Sequence, residues 1–128
     1  MHGVPNDLDL TPFIGCTLDQ IAIGAHEIQF HFSGPGGHIS PSLAVESHWE
    51  YRGTNGEMLD RALHDDQLPT ERDVYRVHRA ITHTVVSVTL DPPDSITVGF
   101  DDGTTLRVWD SNAPHYESFR IEPGGYVI

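Results

Sequence analysis

The sequence predicts an α+β, mainly β fold: two duplicated antiparallel, hairpin-based units joined by a short helical connection. Three observations carry this reading. Segments rich in β-branched and aromatic residues alternate with period two and stop at Gly, Pro and Asp. A pattern in the first half recurs about 67 residues later. Between the halves the apolar spacing becomes helical. The pattern leaves open whether the units form one sheet, a sandwich or a partly open barrel.

The elements follow in order. Leu8 to Phe13 reads as a short helical segment, limited by Pro12. Leu18 to Ile23 is a strand, turned by Gly24-Ala25. Ile28, Phe30 and Phe32 then share one face, with Gln29 and His31 on the other. Ser33-Gly34-Pro35-Gly36-Gly37 is a loose turn. Ile39 to Val45 and Glu46 to Arg52 complete the first unit, and Pro41 points to an edge position or a bulge.

The connection is predicted as helix. Thr54 and Glu57 have capping-box spacing, and Met58, Leu59, Ala62 and Leu63 make one stripe. Thr70 before Glu71, Arg72 and Asp73 is a second start signal, followed by Val74, Val77 and Ile81. Thr84 to Leu90 is the next strand, with Val86, Val88 and Leu90 set apart from Val85. Asp91-Pro92-Pro93-Asp94 ends it. Ile96, Val98 and Phe100 line one face of a strand that turns at Asp101-Asp102-Gly103 into Leu106 and Val108. After a loop from Ser111 to Pro114, Tyr116 to Ile121 forms a fourth strand. Gly124-Gly125 turns the chain into a short fifth, Tyr126 to Ile128. The 128 residues make one domain. Its first unit spans about 8–52, the linker 53–69 and the second unit 70–128.

The repeat is collinear. Ile14, Gly15, Cys16, Thr17, Leu18 and Ile21 align with Ile81, Thr82, His83, Thr84, Val85 and Val88. Ile28, Phe30 and Phe32 align with Ile96, Val98 and Phe100, and Leu43 and Val45 with Leu106 and Val108. His48-Trp49-Glu50 then aligns with His115-Tyr116-Glu117.

Charge sorts the partners. The formal net charge is -12, with seven basic residues, all Arg, against 19 acids. This opposes binding to phosphate backbones and anionic lipid, so neither nucleic acid nor membrane is an expected partner. It favours encounter with a basic protein. The nine His would offset most of that charge on protonation, so charge-driven binding should weaken below about pH 6. Cys16 is the single cysteine, which excludes an intramolecular disulfide and fits a cytoplasmic location. The first ten residues lack the features of a signal peptide. No apolar stretch approaches membrane-spanning length. Open sheet edges would allow a homodimer.

No residue set reads as catalytic. Cys16 begins an apolar strand, Asp101-Asp102 are solvated turn formers, and Ser33 to Gly37 lacks the helix and Lys of a phosphate loop. His64, His78 and His83 lie on or beside the connection, and His78 and His83, five apart, do not share a helical face. No metal or cofactor is therefore expected. The candidate interaction or ligand site is the repeated element: His48, Trp49, Glu50 and His115, Tyr116, Glu117. Two readings compete. One is a twinned polar site with aromatic walls. The other is a pair of strand starts whose aromatic fills the core while His and Glu face water.

Phe100-Asp101-Asp102-Gly103-Thr104-Thr105-Leu106, then Tyr116-Glu117-Ser118-Phe119, then Gly124-Gly125 with Val127, resemble a family of small, uncharacterised bacterial proteins classed as a domain of unknown function. The resemblance covers the second half and reaches the first only through the repeat. It implies no activity and assigns no functional residues. In style, though not in motif, the chain is also similar to acidic, hairpin-rich immunity proteins of bacterial toxin systems. The expected function is a non-enzymatic, cytoplasmic protein-interaction module, immunity-like towards a basic partner. The alternative is a small-molecule or metal-binding domain using the His-aromatic-Glu elements.

Overall fold

The computed structural model describes residues 3–24, 27–34, 40–46, 48–62, 76–110, 119–122 and 126–127. Three strands, β1 (Thr17–Ile23), β2 (Ile28–Ser33) and β3 (Ser42–Val45), form a meander, and β4 (Trp49–Arg52) and β5 (Met58–Ala62) a hairpin. The pattern then repeats. Strands β6 (Val85–Asp91), β7 (Ser95–Phe100) and β8 (Thr105–Trp109) form a second meander, and β9 (Phe119–Glu122) and β10 (Tyr126–Val127) a second hairpin.

The described strands assemble into two antiparallel sheets, ordered β1-β2-β3-β9-β10 and β5-β4-β8-β7-β6. Each meander is thus completed by the hairpin from the other half of the chain. The halves do not build separate sheets; they interlock. The result is a two-sheet sandwich, neither a single sheet nor a closed barrel. Its core lies between the sheets, where Phe30 meets Trp49 edge-on at 5.9 Å and Phe32 stacks on Phe100 at 6.5 Å. Alternation drives this burial: Ile28, Phe30 and Phe32 point inward from β2, as do Leu106 and Val108 from β8. Val4, Leu8, Leu10 and Phe13 join the same core from the N-terminal segment.

The 67-residue spacing reappears in the hydrogen bonds. Thr17 and Thr84 pair in an isolated antiparallel bridge between the starts of β1 and β6. Around it, Gly15 N donates to Val85 O at 2.9 Å and Thr82 N to Leu18 O at 2.8 Å. Likewise Leu18 N donates to His83 O at 3.0 Å and Val85 N to Cys16 O at 2.8 Å. Shifting the donor and the acceptor by 67 in opposite directions turns each bond into its mate. A short 3-10 helix precedes each strand, Thr11–Phe13 before β1 and Arg76–Ala80 before β6. A bulge follows the first inward residue of each, between Leu18 and Gln20 and between Val85 and Ser87.

Three expectations need correction. The stripe Met58, Leu59, Ala62 is not helix but the edge strand β5, paired with β4. Thr54 and Glu57 belong to its hairpin turn, where Gly56 has φ +77° and Gly53 N bonds Glu57 O at 2.9 Å. A five-residue segment gains more from a ladder than from one turn of isolated helix. Of the second helical stretch the described residues hold Arg76–Ala80, a 3-10 helix, and its start at Thr70 to Val74 falls outside them. Pro41 marks neither an edge nor a bulge in its own strand: β3 is paired on both sides, with β2 and β9, and Pro41 sits just ahead of it. Val86 does not share a face with Val88 and Leu90; the bulge sends it outward, 57 % exposed. Gly36-Gly37, Leu63, His64, Thr70 to Val74, Ser111 to Ser118 and Gly124-Gly125 lie outside the described residues. Among the described residues no helix is long and apolar enough to cross a membrane.

Candidate functional site

Period two splits the His48-Trp49-Glu50 element. Trp49 points into the core, 2 % exposed, beside Phe30. His48, Glu50 and Arg52 line the outer face of the second sheet. Trp49 is therefore not an aromatic wall of any surface site. The wall comes from Trp109, at the end of β8. Its backbone N–H donates to His48 O at 3.0 Å, and the two rings stack at 4.3 Å and 10°. The Arg107 guanidinium lies 4.4 Å from the same indole. That arrangement is a cation–π contact.

Glu50 sits at the centre of this face. Strand register places it opposite Arg61 on β5 and Arg107 on β8. Its Oε2 accepts from Arg52 Nε at 3.0 Å, and its Oε1 lies 3.5 Å from His48 Nε2. Arg107 also donates to Ser95 Oγ at 2.9 Å and to Asp91 Oδ2 at 3.1 Å. Three of the chain's seven basic residues, Arg52, Arg61 and Arg107, thus meet on one sheet face of an acidic molecule. Burial pushes the pKa of His48 down, and Glu50 beside it opposes this only in part. The ring therefore tends to be neutral, and its Nε2 is buried without a hydrogen-bond partner.

His115, Tyr116 and Glu117 lie outside the described residues. The ladders nevertheless correct the alignment that paired them with His48-Trp49-Glu50. Trp49 stands opposite Val108, and Phe119 stands opposite Val45, the repeat partner of Val108. Phe119, not Tyr116, is the structural counterpart of Trp49.

A second polar group escaped the linear reading. His83 lies in front of β6 and Asp101-Asp102 at the β7–β8 turn. The bond from Asp101 N to Thr84 O, 2.8 Å, draws them together. His83 Nδ1 is 2.7 Å from Asp101 Oδ1, and Nε2 is 3.6 Å from Asp102 Oδ2. Asp102 Oδ1 accepts from Thr104 Oγ1 at 2.6 Å and from Thr104 N at 3.0 Å. Burial acts to raise the pKa of Asp102, but the Thr104 bonds and His83 outweigh it and hold the carboxyl below its ordinary range. The stretch between His83 and Asp101, 18 positions apart, carries no motif. Only the register of the repeat could have brought them together on paper. Cys16 is buried, its Sγ donating to Pro12 O at 3.2 Å, and burial raises its pKa, which suits a packing role.

Comparison with protein-family models, with curated proteins and with solved structures finds no match.

Proposed function

We propose that this protein is a non-enzymatic, cytoplasmic protein-binding module, immunity-like in that it engages a basic partner. It docks through the outer face of the β5-β4-β8-β7-β6 sheet. The observation that carries the reading is the stack of His48 and Arg107 on the partly exposed indole of Trp109. Trp and Arg dominate binding hot spots because they combine a large contact area with fixed polar geometry. Here the Arg charges are largely offset, Arg52 by Glu50 and Arg107 by Asp91, so the centre of the face is close to neutral. The net charge of -12 then acts at a distance, speeding encounter with a basic protein.

The interlocked topology and the reciprocal bonds at a spacing of 67 support a tandem duplication behind the fold. In that reading the second sheet has acquired the contact face.

Capture from the native host at low and high salt tests the function. Wild-type protein should retain one stoichiometric partner, most strongly at low salt. Trp109→Ala should lose it, and His31→Ala, on the outer face of the other sheet, should not. Absence of a stoichiometric partner at either salt overturns the reading. One observation favours the second reading, a small-molecule or metal site at the same place: His48 Nε2 is buried and unpartnered beside Glu50. Its mark would be saturable binding of a small ligand, abolished by His48→Ala, with no protein partner captured.

A further inference from the structure

The β7–β8 turn offers a different chemistry from the sheet face. His83, Asp101 and Asp102 each present one ligand atom within 4.8 Å of the others. Their arrangement is ordered. Asp101 takes the Nδ1 side of the imidazole at 2.7 Å, which leaves Nε2 facing Asp102 Oδ2 at 3.6 Å. An ion with bonds of roughly 2.1 Å to nitrogen and oxygen spans a ligand separation of about 3.4 Å in tetrahedral geometry. The observed gap is close to that edge. A carboxylate on the far nitrogen is the usual means of orienting a metal-binding His and raising its basicity.

Two further observations bear on this cluster. The first comes from the repeat. The same backbone scaffold exists at the other end of the pseudo-symmetric bridge, with Cys16 in the place of His83 and Ser33-Gly34 in the place of Asp101-Asp102. The bridge between the starts of β1 and β6 therefore forms without an imidazole at its Cys16 end. The second is Tyr51. Its hydroxyl is fully buried and has no hydrogen-bond partner, and the groups acting on it include Thr104 and Asp102. Thr104 gives its own proton to Asp102 Oδ1, and its oxygen keeps lone pairs that can accept from the phenol.

We propose that this turn is a divalent transition-metal site, with His83 Nε2 and Asp102 Oδ2 as ligands and Asp101 as the carboxylate that positions His83. Thr104 holds the other oxygen of Asp102, so Oδ2 is free to face the ion. Side-chain exposures of 36 % for His83 and 29 % for Asp102 leave the site open to solvent, and water completes the coordination shell. Imidazole selects a transition ion over magnesium or calcium. The site is separate from the Trp109 face and does not depend on its function.

The test is a titration of the full chain with Co²⁺, followed by amide NMR. One equivalent should broaden the resonances of Thr82 to Thr84 and of Asp101 to Thr104 first. His83→Ala, a surface change that spares the core, should abolish that broadening, and Asp101→Asn should weaken binding about 10–100-fold. His48→Ala should leave it unchanged. A large excess of Mg²⁺ should not displace the ion. Broadening that centres on another His, or that survives His83→Ala, overturns the proposal, and so does displacement by Mg²⁺.

Discussion

Thr17 and Thr84 face each other across an antiparallel bridge, their Oγ1 atoms 3.3 Å apart and their positions 67 residues apart. Each is the other's counterpart in the repeat, so a local two-fold axis passes between them. The bonds on either side obey the same axis: Gly15 to Val85 mirrors Thr82 to Leu18. This bridge joins the edge strands of the two sheets at their starts.

The axis exposes one mismatch. Gly15 has φ +86°, and its counterpart Thr82 has φ +81°. Glycine is at ease there, whereas a β-branched residue is strained by about 1–2 kcal/mol. Replacement by glycine also frees the unfolded chain, at a cost of about 0.5–1 kcal/mol. Thr82→Gly should therefore raise stability by about 0.5–1 kcal/mol, and Gly15→Thr should lower it by more. Urea denaturation of the two variants beside wild type checks this. A destabilised Thr82→Gly would show that Thr82 makes compensating contacts.

Much of the fold was legible because alternation is enforced wherever one face is buried. Phe30, Phe32, Val98, Phe100 and Leu106 all sit where period two puts them. What failed depended on distant partners. Met58, Leu59 and Ala62 fit a helical stripe, yet the backbone of Trp49 to Arg52 supplies a ladder that no local pattern announces. The candidate site was half legible for the same reason. Sequence pointed to His48 and Glu50 but attached the wrong indole, since the pairing of His48 with Trp109 is a matter of cross-strand register. The exchange of hairpins between sheets leaves no trace in composition or spacing at all.

Asp60 shows how the edge strand is anchored. It is 5 % exposed, and its carboxylate accepts from Val77 N at 3.0 Å and from Arg61 N at 2.9 Å. The first bond ties β5 to the 3-10 helix before β6. Asp60→Ala strands the buried Val77 N–H and should cost about 2–3 kcal/mol. Asp60→Asn, which keeps one acceptor oxygen, should recover at least half of that loss. Thermal melts rank the three proteins, and equal melting of the Ala and Asn variants would show that the carboxylate's acceptors contribute little.

The buried phenol of Tyr51 invites the opposite change. Its ring is wholly enclosed, while its hydroxyl lacks a hydrogen-bond partner. Tyr51→Phe keeps the packing and removes an unsatisfied polar group, so it should be neutral or stabilising by up to about 1 kcal/mol. Tyr51→Ala removes the ring as well and should cost about 3–5 kcal/mol. A clear loss of stability in Tyr51→Phe, read from urea midpoints, would mean that the hydroxyl has a partner after all.

His48 sets a pH dependence of defined sign. Burial holds its pKa in the folded protein below the ordinary 6.5. As pH falls through about 6.5, the unfolded chain takes up the proton before the folded one does. The contribution of His48 to stability is thus fully present above that pH and is lost as pH falls through the depressed folded value. Protonation also places a cation against Trp109, 4.3 Å away, beside the guanidinium of Arg107. Partner binding through this face should weaken over the same interval, in the direction already set by the loss of net negative charge. His48→Gln removes the titration, so its stability should depend less steeply on pH between about 7 and 5. Urea midpoints and tryptophan fluorescence recorded across that range separate the two proteins. Identical profiles would show that other histidines carry the pH response.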